Sequence, residues 1–190
     1  PTDLAPALQA VRRSLALDSS NARAWHTYGR DLAEDGRLSE ATEAWRRSVA
    51  LDPSYTQAVA FLGLAHYWRR SYDSAAVWAD SAVALDANNL LARSTTGYVA
   101  IERGDSVKSG AAFDALRRIA TSVEAVNALA GGGAAAARAG RQAEARSMLQ
   151  EAESLARGYS PVSVHTAVYL AQAAAAAGEQ VGVGAGDAVE

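Results

Sequence analysis

The sequence contains no cysteine, so it has neither a disulfide framework nor thiolate chemistry. Lysine is almost absent as well, because Lys108 is the only one among 18 basic residues. Acidic residues number 21, which gives a formal net charge of −3 and a pI near 5.7. A nucleic-acid backbone or an anionic membrane surface attracts a concentration of basic residues that this sequence lacks. We therefore expect neither nucleic acid nor a membrane as the partner.

Long apolar runs are also missing. No stretch reaches the roughly 18 consecutive apolar residues that a membrane-spanning helix needs, and the alanine-rich run at 173–177 is short and weakly apolar. The residues from Pro1 to Pro6 show no charged region followed by an apolar core, so they contain no recognisable secretory signal. A cytoplasmic location is favoured, although a signal upstream of Pro1 would not be visible.

Motifs of catalysis are absent from the sequence. It has no glycine-rich phosphate loop ending in Lys-Ser or Lys-Thr, no Gly-x-Ser-x-Gly elbow and no paired-histidine zinc helix. Glycines 182, 184 and 186 superficially resemble a dinucleotide loop, but no strand pattern precedes them. The histidines are far apart along the chain, which disfavours a shared metal site. We expect no enzyme activity, no catalytic residue, no cofactor and no metal.

A repeat with a period of 34 residues is the strongest feature that is present. Ala-Leu-Asp ends at Asp18, Asp52 and Asp86, and the segment 12–18 returns almost unchanged as 46–52. Glycines keep the same period at 29, 63 and 97, and a fourth follows at 133 after 36 residues. A fixed period of this size predicts a stack of similar supersecondary units.

The apolar residues between the glycines fall at helical spacing, and no segment alternates like a strand. Gly36, Gly104, Gly140 and Gly178 each follow such a segment, where a left-handed residue ends a helix. The sequence therefore predicts ten helices, near residues 4–17, 21–35, 38–51, 55–69, 72–85, 89–103, 106–119, 123–139, 142–156 and 161–177.

The first full unit resembles the tetratricopeptide repeat, through Trp25, Tyr28, Gly29, Leu32, Ala41, Trp45 and Pro53. The resemblance implies an all-α fold, a right-handed superhelical solenoid of antiparallel helix pairs with about four and a half repeats. It places a half-repeat at 1–20, units beginning at 22, 56, 90 and 126, and a partial unit at 160–180. Residues 181–190 are expected to form a flexible tail after one continuous array at 1–180.

The same resemblance implies a non-catalytic scaffold whose first helices line a groove for a peptide or protein segment. The groove residues that it indicates are Arg23, His26, Arg30, Gln57, Leu64, Tyr67, Trp68, Tyr98 and Glu102. The arginines suit carboxylate or phosphate groups, and the aromatic residues suit apolar anchors. Alternatively, the aromatic residues only cover neighbouring helices. His66 lies where the family usually has a core tyrosine, so we expect it to be packed.

Some members of the family bind a C-terminal carboxylate with lysine, asparagine and arginine at fixed positions. His26 and Leu64 occupy two of those positions here, which argues against that specificity.

Two segments leave alternatives open. The first helix has the pattern of a second helix without its partner, so we expect Leu8 and Leu15 to be exposed. The chain is then part of a larger bacterial regulatory or signalling protein, or this helix mediates homo-oligomerisation. Gly131–Gly133 contains more glycine than the repeat requires, which is explained by sequence drift, by a hinge or by close approach of a ligand.

Overall fold

The computed structural model describes residues 5–121 and 123–157. These residues form nine α-helices and no strand, which confirms the all-α helical repeat fold. The helices match the first nine predicted ones closely, whereas the predicted helix 161–177 and tail 181–190 lie outside the described residues. The helices are α1 (Ala5–Leu17), α2 (Ala22–Glu34), α3 (Leu38–Leu51), α4 (Thr56–Trp68), α5 (Tyr72–Leu85), α6 (Leu90–Glu102), α7 (Ser106–Ile119), α8 (Val123–Arg138) and α9 (Gln142–Ala156).

The chain forms two compact units, Pro1–Thr95 and Thr96–Glu190, and α6 contributes to both. In unit 1, consecutive helices from α1 to α5 pack on one another. In unit 2, α7 packs on α8 and α8 packs on α9. The connections are only a few residues long, so consecutive helices run antiparallel. The predicted single array at 1–180 remains a prediction.

The repeated glycines allow the two helices of a pair to approach closely. A Cβ atom at Gly29 would lie 2.5 Å from Nε1 of Trp45, and one at Gly97 would lie 2.6 Å from the ring of Phe113. In each case the partner residue lies 16 positions further along the chain. The 34-residue period of glycine is therefore a packing requirement.

Trp45 is the largest fully buried side chain of unit 1, with 0% of its surface exposed. Its indole Nε1 donates a hydrogen bond of 3.2 Å to the carbonyl oxygen of His26 in α2. One turn further on, the Oγ of Ser48 donates to the carbonyl oxygen of Ala22 at 2.7 Å. Both side chains come from α3, so packing and hydrogen bonds together fix α3 on α2.

The aspartate of the Ala-Leu-Asp repeat organises the connection to the next helix of the chain. One of its carboxylate oxygens accepts a hydrogen bond from the backbone N–H two residues later, an Asx turn that reverses the chain. The three turns pair Asp18 with Ser20 at 2.9 Å, Asp52 with Ser54 at 3.0 Å and Asp86 with Asn88 at 2.8 Å. The recurrence of Leu-Asp thus has a local structural cause.

Within residues 5–121 and 123–157, four helices end in the same left-handed turn. The residue after the C-cap has a positive φ, and its N–H and the next N–H bond back to carbonyls of the last helical turn, as in a Schellman motif. Glycine occupies this position as predicted at Gly36, Gly104 and Gly140, with φ of 78°, 76° and 76°. Arg70 occupies it in the fourth turn, with φ of 57°. Gly178 lies outside the described residues.

The triple glycine lies within an unbroken helix, α8. A Cβ atom at Gly131 would lie 2.1 Å from Cε1 of Phe113, and one at Gly132 would lie 3.2 Å from Sδ of Met148. Gly131 and Gly132, the two glycines that the repeat does not require, therefore lie close to side chains of unit 2 itself. This packing gives the glycines a cause in the protein core, and the hinge remains a prediction.

The expectation that α1 exposes Leu8 and Leu15 is wrong. These side chains are only 7% and 9% exposed, and Leu8 belongs to the core cluster that contains Leu32 and Trp45. The apolar stripe of α1 packs on α2, so α1 already has a partner helix in the chain. Homo-oligomerisation through this helix therefore loses the apolar surface on which the hypothesis rested.

Candidate interaction surface

Seven of the nine candidate groove residues lie in unit 1, on helices α2 and α4. The exposed residues Arg23, Arg30 and Gln57, with the aromatic residues His26, Tyr55 and Phe61, form a surface that we call the α2–α4 face. Leu64 is buried, at 8% exposure, and contributes to the packing of α4. Tyr67 is partly buried and Trp68 is 37% exposed, both at the C-terminal end of α4.

His26 is buried beneath this face, with 7% of its surface exposed. Its ring lies edge-on to those of Tyr55 and Phe61, with centroid distances of 5.4 and 5.1 Å. Burial, and secondarily the positive charge of Arg30, lowers the pKa of His26 to about 4. Nδ1 of His26 has no hydrogen-bond partner among the described residues. His26 is therefore a neutral part of the aromatic layer under the face.

Tyr55 and Phe61 were not identified from the sequence. Tyr55 precedes α4 as its N-cap residue, and Phe61 lies within the continuous apolar run 58–65. Such a run has no distinct helical period, so the sequence does not indicate which side of α4 is exposed. The ring of Phe61 also lies 5.1 Å from that of Trp45, which connects the surface aromatics to the core.

The cations of the face differ in their surroundings. The guanidinium of Arg23 lies 5.9 Å from the ring centroid of Tyr55, in the geometry of a cation–π contact, and forms no ion pair within the part of the chain that the structure describes. Arg30 lies 3.8 Å from the carboxylate of Glu34, and both side chains are more than half exposed. An exposed pair of this kind contributes only about 0.3–0.5 kcal/mol, so it exchanges readily for another anion.

The charges on α2 oppose its macrodipole. The first turn has no acidic residue and the last turn has no basic one, whereas Asp31 and Glu34 lie near the C-terminal end. Burial, together with the nearby Glu34, raises the pKa of Asp31. Charges in this arrangement do not stabilise the helix, so helix stability does not explain why they are there.

The remaining two candidates lie in unit 2. Tyr98 is buried, at 5% exposure, and its ring meets that of Phe113 edge-on with a centroid distance of 5.0 Å. Covering a neighbouring helix is therefore what Tyr98 does in this unit. Glu102 is exposed at the C-terminal end of α6.

His66 is partly buried on α4, between the fully packed position expected from the sequence and an exposed one. Its pKa is lowered by burial first and then by the positive charges of Arg46 and Arg69. Arg46 and Arg69 therefore act with burial to favour the neutral form of His66.

Across residues 5–121 and 123–157, no three histidine, aspartate or glutamate side chains are grouped so that they could hold a metal ion. Within the same residues, no helix combines the length and the apolar character needed to cross a membrane.

The sequence matches no protein-family model and no curated protein. Several solved structures resemble the chain. MamA is 22% identical with a TM-score of 0.69, over 82% of this chain and 90% of that chain. YrrB, a TPR protein with an unusual peptide-binding site, is 20% identical with a TM-score of 0.64, over 88% of this chain and 82% of that chain. A chain of the APC/C hetero-tetramer Cut9–Hcn1 is 18% identical with a TM-score of 0.75, over 94% of this chain and 38% of that chain.

These similarities confirm the fold that the repeat pattern indicated. The chain has the tetratricopeptide-repeat fold, an all-α architecture of repeated antiparallel helix pairs. At these levels of identity the likeness concerns the fold alone.

Proposed function

We propose that this chain is a non-catalytic protein-interaction scaffold that holds a peptide or protein segment on the α2–α4 face of unit 1. The observation that carries this proposal is the combination of exposed arginines with a rigid aromatic layer. Arg23 and Arg30 are exposed on α2, and beneath this face the ring of His26 contacts the rings of Tyr55 and Phe61. Arginine and aromatic side chains are the types that most often dominate binding energy at protein interfaces.

The arrangement suits binding because its rigid and adaptable parts are separate. The aromatic layer is connected through Phe61 to the buried Trp45, so it is fixed by the core and loses little conformational entropy when a partner binds. The arginines above it make only a cation–π contact and a weak exposed ion pair. They are therefore available to carboxylates or phosphates of a partner. YrrB, which has the same fold, carries a peptide-binding site, and this agrees with the proposed role.

The test is selection of linear peptides from a random display library on the intact chain, followed by fluorescence anisotropy with the purified peptides. We expect the Arg23→Ala/Arg30→Ala double variant to weaken binding about tenfold, since each exposed arginine contributes up to about 1 kcal/mol. Arg47→Ala on α3, also exposed, is the matched control and should bind like the parent protein. Equal affinity of the double variant and the parent would show that the α2–α4 face is not the binding site.

A further inference from the structure

The turn between α4 and α5 differs in composition from the equivalent turns of the other helix pairs. Residues 67–72, termed the 67–72 turn, read Tyr-Trp-Arg-Arg-Ser-Tyr. The equivalent segments 33–38, 101–106 and 137–142 read Ala-Glu-Asp-Gly-Arg-Leu, Ile-Glu-Arg-Gly-Asp-Ser and Ala-Arg-Ala-Gly-Arg-Gln. Only the 67–72 turn contains aromatic residues, and tryptophan, tyrosine and arginine are the types enriched at binding hot spots.

The backbone of this turn is strained where the other turns are relaxed. Arg70 N–H donates to the carbonyl oxygen of Tyr67 and Ser71 N–H to that of His66, both at 2.9 Å, so the turn keeps the Schellman hydrogen bonds. Arg70 nevertheless has φ of 57°, where the equivalent residues are glycine. A side chain in the left-handed region disfavours the fold, and residues held in such conformations concentrate at functional sites.

The side chains of the turn form an exposed surface that is both aromatic and cationic. Trp68 is 37% exposed, and the rings of Tyr67 and Tyr72 lie 6.0 Å apart on either side of the turn. Arg69 and Arg70 are exposed, and neither forms an ion pair with any described residue. Two neighbouring cations without an acidic partner, next to an exposed indole, present a surface complementary to acidic and apolar groups.

We propose that the 67–72 turn is a docking site for an acidic protein segment. The carboxylates of the segment bind Arg69 and Arg70, and an adjacent apolar side chain packs on Trp68. The inference rests on the proposed interaction role but assigns a second contact surface, at the end of α4 and formed by other residues than the arginines of the α2–α4 face. It also gives a role to an arginine at a position where glycine would be relaxed.

The probe is the peptide (Asp-Leu-Gly)₄-amide with fluorescein coupled to its N-terminus, and (Asn-Leu-Gly)₄-amide with the same label is the counterpart that lacks the carboxylates. Binding is measured by fluorescence anisotropy at about 50 and about 300 mM NaCl. We expect the acidic peptide to bind at least about tenfold more tightly than the neutral one at low salt, and the difference to shrink at high salt. Equal affinity for both peptides would overturn the proposal.

Variants of Arg70 separate binding from folding. Arg70→Gly should weaken binding of the acidic peptide about five- to tenfold, while it raises the resistance of unit 1 to urea. Arg70→Lys keeps the charge and should bind within about twofold of the parent protein. A purely structural role of Arg70 predicts that Arg70→Gly changes the stability of unit 1 and leaves the affinity for the acidic peptide unchanged, and this result would refute the docking site.

The Arg23→Ala/Arg30→Ala variant distinguishes this inference from the proposed function. It should bind the acidic peptide as the parent protein does. If instead this variant loses the peptide and Arg70→Gly retains it, the acidic segment lies on the α2–α4 face. The proposed function then stands and the docking site at the turn is wrong.

Discussion

Replacement of Arg70 by glycine should stabilise unit 1. The left-handed conformation of Arg70, with φ of 57°, costs a non-glycine residue roughly 1–2 kcal/mol. Glycine removes this cost but loses about 0.5–1 kcal/mol through the greater backbone entropy of its unfolded chain. The side chain of Arg70 forms no ion pair with any described residue, so its removal breaks no such contact. The difference between the two ranges spans about 0–1.5 kcal/mol, and its centre is a gain of about 0.5–1 kcal/mol.

Urea unfolding followed by tryptophan fluorescence measures this gain in the right part of the molecule. The tryptophans, Trp25, Trp45, Trp68 and Trp78, all lie in unit 1, so the signal reports the unit that contains the substitution. Far-UV circular dichroism reports helix loss in both units. A gain of this size should shift the urea midpoint upward without a change of slope.

Arg69→Gly is the matched control, one residue earlier at the C-cap of α4. Its φ of −83° suits any residue, so glycine has no strain to relieve there and should destabilise by about 0.5–1 kcal/mol. Arg70→Val, a β-branched residue in the same left-handed position, should be less stable than the parent protein. An unchanged or lowered midpoint for Arg70→Gly would refute the argument from backbone strain.

Three further predictions concern packing, protonation and the turns at the repeated aspartates. Gly131→Ala should lower stability by about 1–3 kcal/mol in thermal unfolding, because its Cβ would overlap the ring of Phe113. Gly110→Ala, in open space on α7, should raise stability by up to about 1 kcal/mol, and equal effects of the two changes would contradict this packing. His26 has a pKa of about 4 in the fold against 6.5 in the unfolded chain. Its contribution to the free energy of unfolding is therefore complete above pH 6.5 and is lost as the pH falls towards 4. The loss of stability between pH 7 and pH 4, measured by urea titration at each pH, should reach about 2–3 kcal/mol. His26→Phe should remove most of this loss, and an equal loss in the variant would exclude His26 as its source. Asp52→Ala should cost about 1 kcal/mol in urea unfolding, because the hydrogen bonds from the N–H and Oγ of Ser54 are lost; parent-like stability would show that the Asx turn contributes little.

The sequence predicts the helices well because their ends are encoded locally. Gly36 and Gly104 end helices through a backbone conformation that glycine adopts without strain, and Asp52 and Asp86 bond to residues only two positions away. Such signals involve a few neighbouring residues and need no knowledge of the tertiary structure.

Exposure is harder to predict because it depends on the neighbouring helices. Leu8 has the same sequence pattern whether or not α2 covers it, and the structure shows that α2 does. His26 lies one turn from the exposed Arg23 and Arg30, yet Tyr55 and Phe61 enclose its ring from α4 and the residue before it. Gly131 is explained only by Phe113 of α7, to which no local sequence signal points.

The turns at the repeated aspartates have a consequence for how such a chain can lengthen. At Asp52, the side chain bonds to Ser54 and the carbonyl oxygen accepts from the N–H of Tyr55 at 3.1 Å; Asp86 repeats the arrangement with Asn88 and Asn89. All of these bonds lie within three residues of the aspartate. A gene duplication that copies the chain from one such aspartate to the next would therefore carry a complete connection with it. The inserted pair of helices would then need only to match the packing faces of its new neighbours.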